Sequence, residues 1–189
     1  MFTPAYHPAF RHAAEARKQF GRRTYFNFLG PLLNPANCAY RVLGVAEPEV
    51  ADVMGGILLA SGVKKAWLLH GGGMDEISPC GSTQVKEFAI GKAVETFTID
   101  PREYGFELYT IEDIKGGDKA FNARVIENVL CDRATPAQQA AVVLNASAGL
   151  TVHGTTTAYA EGIERAREVI KNGAAAKTLS ELISVSNKV

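Results

Sequence analysis

The sequence predicts an α/β fold: a mixed, mainly parallel sheet flanked by helices. Three observations lead there. Short apolar runs of strand length alternate with longer helical ones along the 189 residues. Two neighbouring runs, 83–90 and 93–99, are joined by Gly91-Lys92 in the manner of a hairpin. A third segment carries a full helix-start signal, with Thr135 and Gln138 spaced as a capping box around Pro136.

Taken in order, the first helix covers about 9–20. At about 100° per residue, Ala9, Phe10, Ala13, Ala14, Ala16 and Phe20 share one side, and Arg11, His12, Glu15, Lys18 and Gln19 the other. Arg17 falls within the apolar arc. Such an arginine either pairs its guanidinium with a carboxylate, from the protein or from a ligand, or lies along apolar surface with its head in water. The stretch Gly30-Pro31 to Asn34-Pro35 reads as a stiff loop. A strand follows at 40–45, then a helix at 49–60 opened by Pro48 and ended near Gly62. The next strand, 65–70, runs into Gly71-Gly72-Gly73, and after the hairpin Asp100-Pro101 marks a turn.

Asp118 is a natural N-cap for a helix over 119–130. The body of the next helix, 140–150, is apolar almost all round and is expected to be buried on most sides. Helices at 161–172 and 174–185 complete the chain. No internal repeat or low-complexity tract interrupts it.

Composition narrows the functional classes. Twenty basic and twenty acidic residues cancel, so nothing favours nucleic acid or a membrane surface as a partner. Cys38, Cys80 and Cys131 fit neither a disulfide framework nor a C-x-x-C metal site, and are expected to be reduced thiols of a cytoplasmic protein. No apolar run approaches bilayer length, and Met1-Phe2-Thr3-Pro4 does not resemble a secretory leader.

The strongest constellation of charge is Asp75-Glu76, placed after strand 65–70 by three glycines. Ligands of open α/β sheets bind at strand carboxyl ends, so this pair can hold Mg²⁺ with substrate phosphates, or it can be an ordinary acidic surface turn. The glycines match neither G-x-G-x-x-G nor a P-loop. His7, His12, His70 and His153 lack ligand spacing; His7 alone is of interest, because it heads the helix that carries Arg17. No Gly-x-Ser-x-Gly elbow and no general base can be picked out.

Several of these segments carry a resemblance. His7-Pro8-Ala9, Arg17, the run from Arg23-Thr24-Tyr25-Phe26-Asn27-Phe28-Leu29-Gly30-Pro31 to Asn34-Pro35, Leu43-Gly44-Val45, His70-Gly71, Met74-Asp75-Glu76-Ile77-Ser78, Gly116-Gly117-Asp118 and Leu144-Asn145-Ala146 resemble the anthranilate phosphoribosyltransferase family of tryptophan biosynthesis. The resemblance covers essentially the whole chain. It implies attack of the anthranilate amine on the anomeric carbon of phosphoribosyl pyrophosphate, with Arg17 and His7 in the anthranilate pocket and Asp75 and Glu76 binding Mg²⁺. It assigns no catalytic acid or base.

The resemblance also implies a division: residues 1–30 as a remnant of a helical domain and hinge, and 31–189 as the C-terminal part of the phosphoribosyltransferase domain. Absent from the chain are the family's G-T-G-G-D phosphate loop and its Lys-His-Gly-Asn-Arg segment. The expectations that follow are an incomplete sheet, a chain inactive alone, and exposed apolar area that favours association. The family is homodimeric through its helical domain, so that dimer is not assumed here. Two alternatives stand beside this reading: a pyrimidine-nucleoside phosphorylase-like enzyme, against which the Asn27 to Pro35 run argues, and a non-catalytic homologue binding nucleic acid or protein, against which the balanced charge argues.

Overall fold

The computed structural model describes residues 6–22, 26–71 and 73–187, with no side-chain description at 26 and 27. Met1-Phe2-Thr3-Pro4, the Arg23-Thr24-Tyr25 part of the motif run, and Gly72 lie outside the described residues. A 3₁₀ turn at Pro8–Phe10 leads into helix α1 (Arg11–Phe20). Next come α2 (Phe26–Leu32), β1 (Tyr40–Gly44), α3 (Ala51–Ala60) and the strands β2 (Lys65–Gly71), β3 (Thr83–Ala89) and β4 (Glu95–Ile99). Helices α4 (Lys119–Leu130), α5 (Pro136–His153), α6 (Tyr159–Lys171) and α7 (Ala174–Ser186) follow.

The four strands form one mixed sheet in the order β1-β2-β3-β4. β1 and β2 are parallel, whereas β3 pairs antiparallel with both β2 and β4. Three of the four strands therefore run the same way, and β3 runs against them. The antiparallel ladders come from the expected hairpin, whose turn uses Gly91 at φ 73°. The parallel pair needs the α3 crossover.

Alternation along the strands splits the core in two. Trp67, Leu69, Val85 and Ile99 face one side and pack under α5 and α6 with Val143, Leu144, Ala148, Tyr159 and Ile163. Ala66, Leu68 and Phe88 face the other, under Met54 and Leu58 of α3, with Phe28 and Leu32 of α2 beside them. Gly162 makes the α5–α6 crossing possible, since a β-carbon there would collide with Ser147 Oγ. Helix α5 is buried along most of its faces, as its apolar body requires, but Val142, Ala146 and Gly149 form an exposed strip.

One expectation needs correction. The segment read as a stiff Gly-Pro loop is partly helical: α2 contains Gly30 and Pro31. Pro31 stands next to last in this seven-residue helix, where its missing N–H costs one bond of the ladder. The C-terminal carbonyls are capped from outside, Arg41 Nη1 donating to Pro31 O at 3.0 Å and to Leu32 O at 3.5 Å. Packing of Phe28 and Leu32 against the α3 side of the core overrides the weak local propensity. Among the described residues no helix is long and apolar enough to cross a membrane.

Candidate functional site

The loop between β2 and β3 is built tightly. Gly71 and Met74 exchange two backbone bonds, Met74 N to Gly71 O at 2.9 Å and Gly71 N to Met74 O at 3.3 Å. Gly73, at φ 75°, supplies the left-handed residue that this turn needs. Asp75 and Glu76 follow, both exposed, and neither side chain has a hydrogen-bond or ion-pair partner among the described residues. Ile77 then dives into the core with no exposed surface, and Ser78 N donates to the buried Thr83 Oγ1 at 2.9 Å. Two adjacent carboxylates are thus presented from a short loop anchored at both ends.

Asp75 lies directly over the end of β1. A β-carbon on Gly44 would overlap the Asp75 carbonyl oxygen, so only glycine allows this approach. The same aspartate lines a cavity of about 220 Å³ with Phe28 and Pro31 of α2, the Gly44-Val45-Ala46 end of β1, and Met54 of α3. Phe28, Pro31 and Met54 are lining residues that sequence reading did not single out. The motif run that carries the resemblance contains Phe28 and Pro31, but a loop reading of Gly30-Pro31 gives no sign of which way these side chains point.

His7 sits elsewhere. Its Nε2 bonds Leu33 O at 2.8 Å, its ring stacks on Phe10 with centroids 5.4 Å apart, and it lines a cavity of about 340 Å³ beyond the C-terminal end of α2 with Leu33, Asn34 and Arg41. Arg17, in the last turn of α1, is half-buried, although that helix has no buried residue and Ala14, Ala16 and Phe20 of its apolar arc are exposed. It lines neither of these two cavities. Helix α2 connects the regions, because Phe28 and Pro31 border the Asp75 cavity and Leu32 and Leu33 border that of His7. The other histidines have ordinary hydrogen-bonded environments: His70 Nδ1 on Val45 O at 2.8 Å, and His153 Nδ1 on Thr155 Oγ1 at 2.7 Å. The three cysteines are free thiols.

The donor set at the loop suits one kind of cation. Among the described residues no group of three or more His, Cys, Asp or Glu side chains able to hold a metal occurs. A pair of unengaged carboxylates at the carboxyl end of a strand fits Mg²⁺, which takes one or two carboxylates and completes its octahedron with waters and phosphate oxygens.

The comparison with known sequences decides the family. Residues 1–176 match the model of the glycosyl transferase family, a/b domain. The chain belongs to that family. It is 41% identical over 99% of its length to an anthranilate phosphoribosyltransferase of Mesorhizobium japonicum, covering 55% of that relative. It is 44% identical over 99% of its length to one of Methylorubrum populi, again covering 55% of the relative. The chain thus spans about half the length of the curated relatives it matches.

Solved structures agree. The anthranilate phosphoribosyltransferase of Thermus thermophilus superposes with a TM-score of 0.85 at 36% identity, over 94% of this chain and 52% of that one. The Saccharomyces cerevisiae enzyme in complex with PRPP and Mg gives 0.85 at 28%, over 97% of this chain and 51% of that one. The same yeast enzyme in complex with 4-fluoroanthranilate gives 0.85 at 27%, over 97% and 53%. This member of the glycosyl transferase family therefore shares a fold with the yeast enzyme solved with PRPP and Mg and with 4-fluoroanthranilate.

Proposed function

We propose that this chain carries the anthranilate-side and magnesium-side residues of an anthranilate phosphoribosyltransferase. In the reaction, the anthranilate nitrogen forms a bond to the anomeric carbon of phosphoribosyl pyrophosphate. The carbon–oxygen bond to pyrophosphate breaks, the leaving group keeps the electron pair, and the nitrogen then releases a proton to water. The observation that carries the reading is the pair of exposed, unengaged carboxylates at the carboxyl end of β2, beside a cavity walled by Phe28, Pro31 and Met54. The names of the relatives and the ligands in the yeast structures support it.

In this reading Asp75 and Glu76 hold Mg²⁺, which when bound supplies charge stabilisation to the departing pyrophosphate. Arg17 pairs with the anthranilate carboxylate, a planar guanidinium suiting a planar anion, and His7 helps to seat the same substrate. No side chain is assigned as acid or base, so positioning of the two reactants supplies most of the acceleration from the protein's own residues. We read residues 1–30 as the remnant of a helical domain and hinge, and 31–189 as the C-terminal part of the phosphoribosyltransferase domain. In support, neither core cluster draws on α1; α2 spans the boundary, with Phe28 packed on the α3 side of the core.

The test follows the loss of anthranilate fluorescence with phosphoribosyl pyrophosphate and Mg²⁺, on this chain and on a version extended upstream through a relative's phosphate loop. Arg17→Gln is expected to raise the KM for anthranilate at least tenfold, and Asp75→Asn to lower kcat/KM for phosphoribosyl pyrophosphate by a similar factor. Full activity in both variants would overturn the assignment of these residues. No transfer by either the chain or its extended version would favour the non-catalytic reading.

A further inference from the structure

The loop that presents Asp75 and Glu76 is fastened by a side chain 68 positions away. Asn145 of α5 accepts from Ile77 N through Oδ1 at 3.0 Å and donates from Nδ2 to Ile77 O at 2.9 Å. The second Nδ2 hydrogen goes to Ala141 O, also at 2.9 Å. The carboxamide thus satisfies both polar groups of one residue, in the way a neighbouring strand would. Those groups have no other described partner, and the Ile77 side chain is fully buried. Without the asparagine, a buried N–H and C=O immediately after Glu76 would be left unpaired.

We propose that Asn145 is a positioning residue for the carboxylate pair: its bidentate grip on Ile77 fixes where the backbone of Asp75 and Glu76 stands over the end of β1. The inference rests on the reading of those carboxylates as metal ligands. Its logic is geometric. Neither carboxylate is held by a partner of its own among the described residues, so their placement depends on the backbone. That backbone is fixed by the Gly71–Met74 turn before them, the Gly44 contact beneath Asp75, and, after them, Asn145 on Ile77 and Thr83 on Ser78. Of these, only Asn145 ties the loop to a different layer of the fold. Supporting residues of this kind commonly change metal affinity by about 10–100-fold when removed.

The test needs a measurement without metal and one with it. Amide hydrogen exchange at Ile77 is followed by NMR in the metal-free wild type, Asn145→Ala and Asn145→Asp. Mn²⁺ binding in the presence of phosphoribosyl pyrophosphate is measured by EPR in the same proteins and in Asp75→Asn, each extended upstream through a relative's phosphate loop. The expected result is Ile77 exchange at least tenfold faster in Asn145→Ala together with Mn²⁺ affinity at least tenfold weaker. Asn145→Asp, which keeps an acceptor for Ile77 N–H, should retain more of that protection and provides the second variant if alanine impairs folding. Unchanged Ile77 exchange would overturn the grip. Faster exchange with unaltered Mn²⁺ affinity, where Asp75→Asn loses that affinity, would reduce Asn145 to a structural clamp and overturn the positioning role. Mn²⁺ binding that is absent in wild type or insensitive to Asp75→Asn would sink the metal reading itself, and the positioning role with it.

Discussion

Three carboxylates show how single side chains set the response of this molecule to acid. The Arg102 side chain holds Asp100 well below the usual carboxylate range, aided by the Arg102 backbone N–H and the Ser82 hydroxyl. Asp113 is lowered by the Thr110 hydroxyl and then by its backbone N–H, and Glu161 by the Thr157 N–H and then its hydroxyl. A group whose folded pKa is depressed adds stability above its unfolded pKa, about 4 for these residues, and loses it as pH falls through the folded value. The contribution of these three groups is therefore expected to be present above about pH 5 and to be lost as the pH falls below about 4. The triple variant Asp100→Asn, Asp113→Asn, Glu161→Gln should melt lower at pH 7 and show a shallower acid limb; an acid limb identical to wild type would show that other groups govern it. Gly44 is a second residue-scale test. An alanine there must displace the Asp75 backbone, so Gly44→Ala should cost about 1–3 kcal/mol in urea unfolding and move the Asp75 amide resonance, whereas an unperturbed loop would contradict the packing described.

Helix α5 is the element on which the most depends. It packs under β1 and β2, meets α6 along its length, and carries Asn145 to the loop. Its start is local chemistry: Thr135 Oγ1 accepts from Gln138 N, and Gln138 Oε1 accepts from Thr135 N, both at 3.3 Å. Its end is equally local, with Gly154 in the left-handed conformation at φ 83°. Thr135→Ala is expected to cost about 1 kcal/mol in chemical denaturation without changing the slope of the transition; a change under about 0.3 kcal/mol would mean that tertiary packing alone sets the helix start. Helix α3 poses the opposite case. It is apolar on nearly every side, its one charge, Asp52, is engaged by Lys86 at 2.9 Å, and Val53 and Ile57 are 64% and 43% exposed.

The same imbalance appears at the scale of the whole molecule. The chain of 20.3 kDa exposes 11617 Å², whereas a folded monomer of that mass exposes roughly 8,800 Å². Self-association of the chain by itself, through the α3 face, is the expected consequence: light scattering should give a mass rising with concentration, and Ile57→Lys should lower it. A steady monomer at high concentration would contradict that expectation. The sequence by itself determined the order of elements apart from α2, the hairpin, the Asp118 and Thr135 caps, and the acidic pair at a strand end. Each depends on spacing or turn chemistry within a few residues, where local physics leaves a local trace. Only the tertiary structure decided that Phe26–Leu32 is helical through Pro31, that Gly44 must be glycine to pass under Asp75, and that Asn145 closes on Ile77. Those features arise from contacts between segments far apart in the chain, and neither periodicity nor propensity within one segment can record the partner that another segment brings to it.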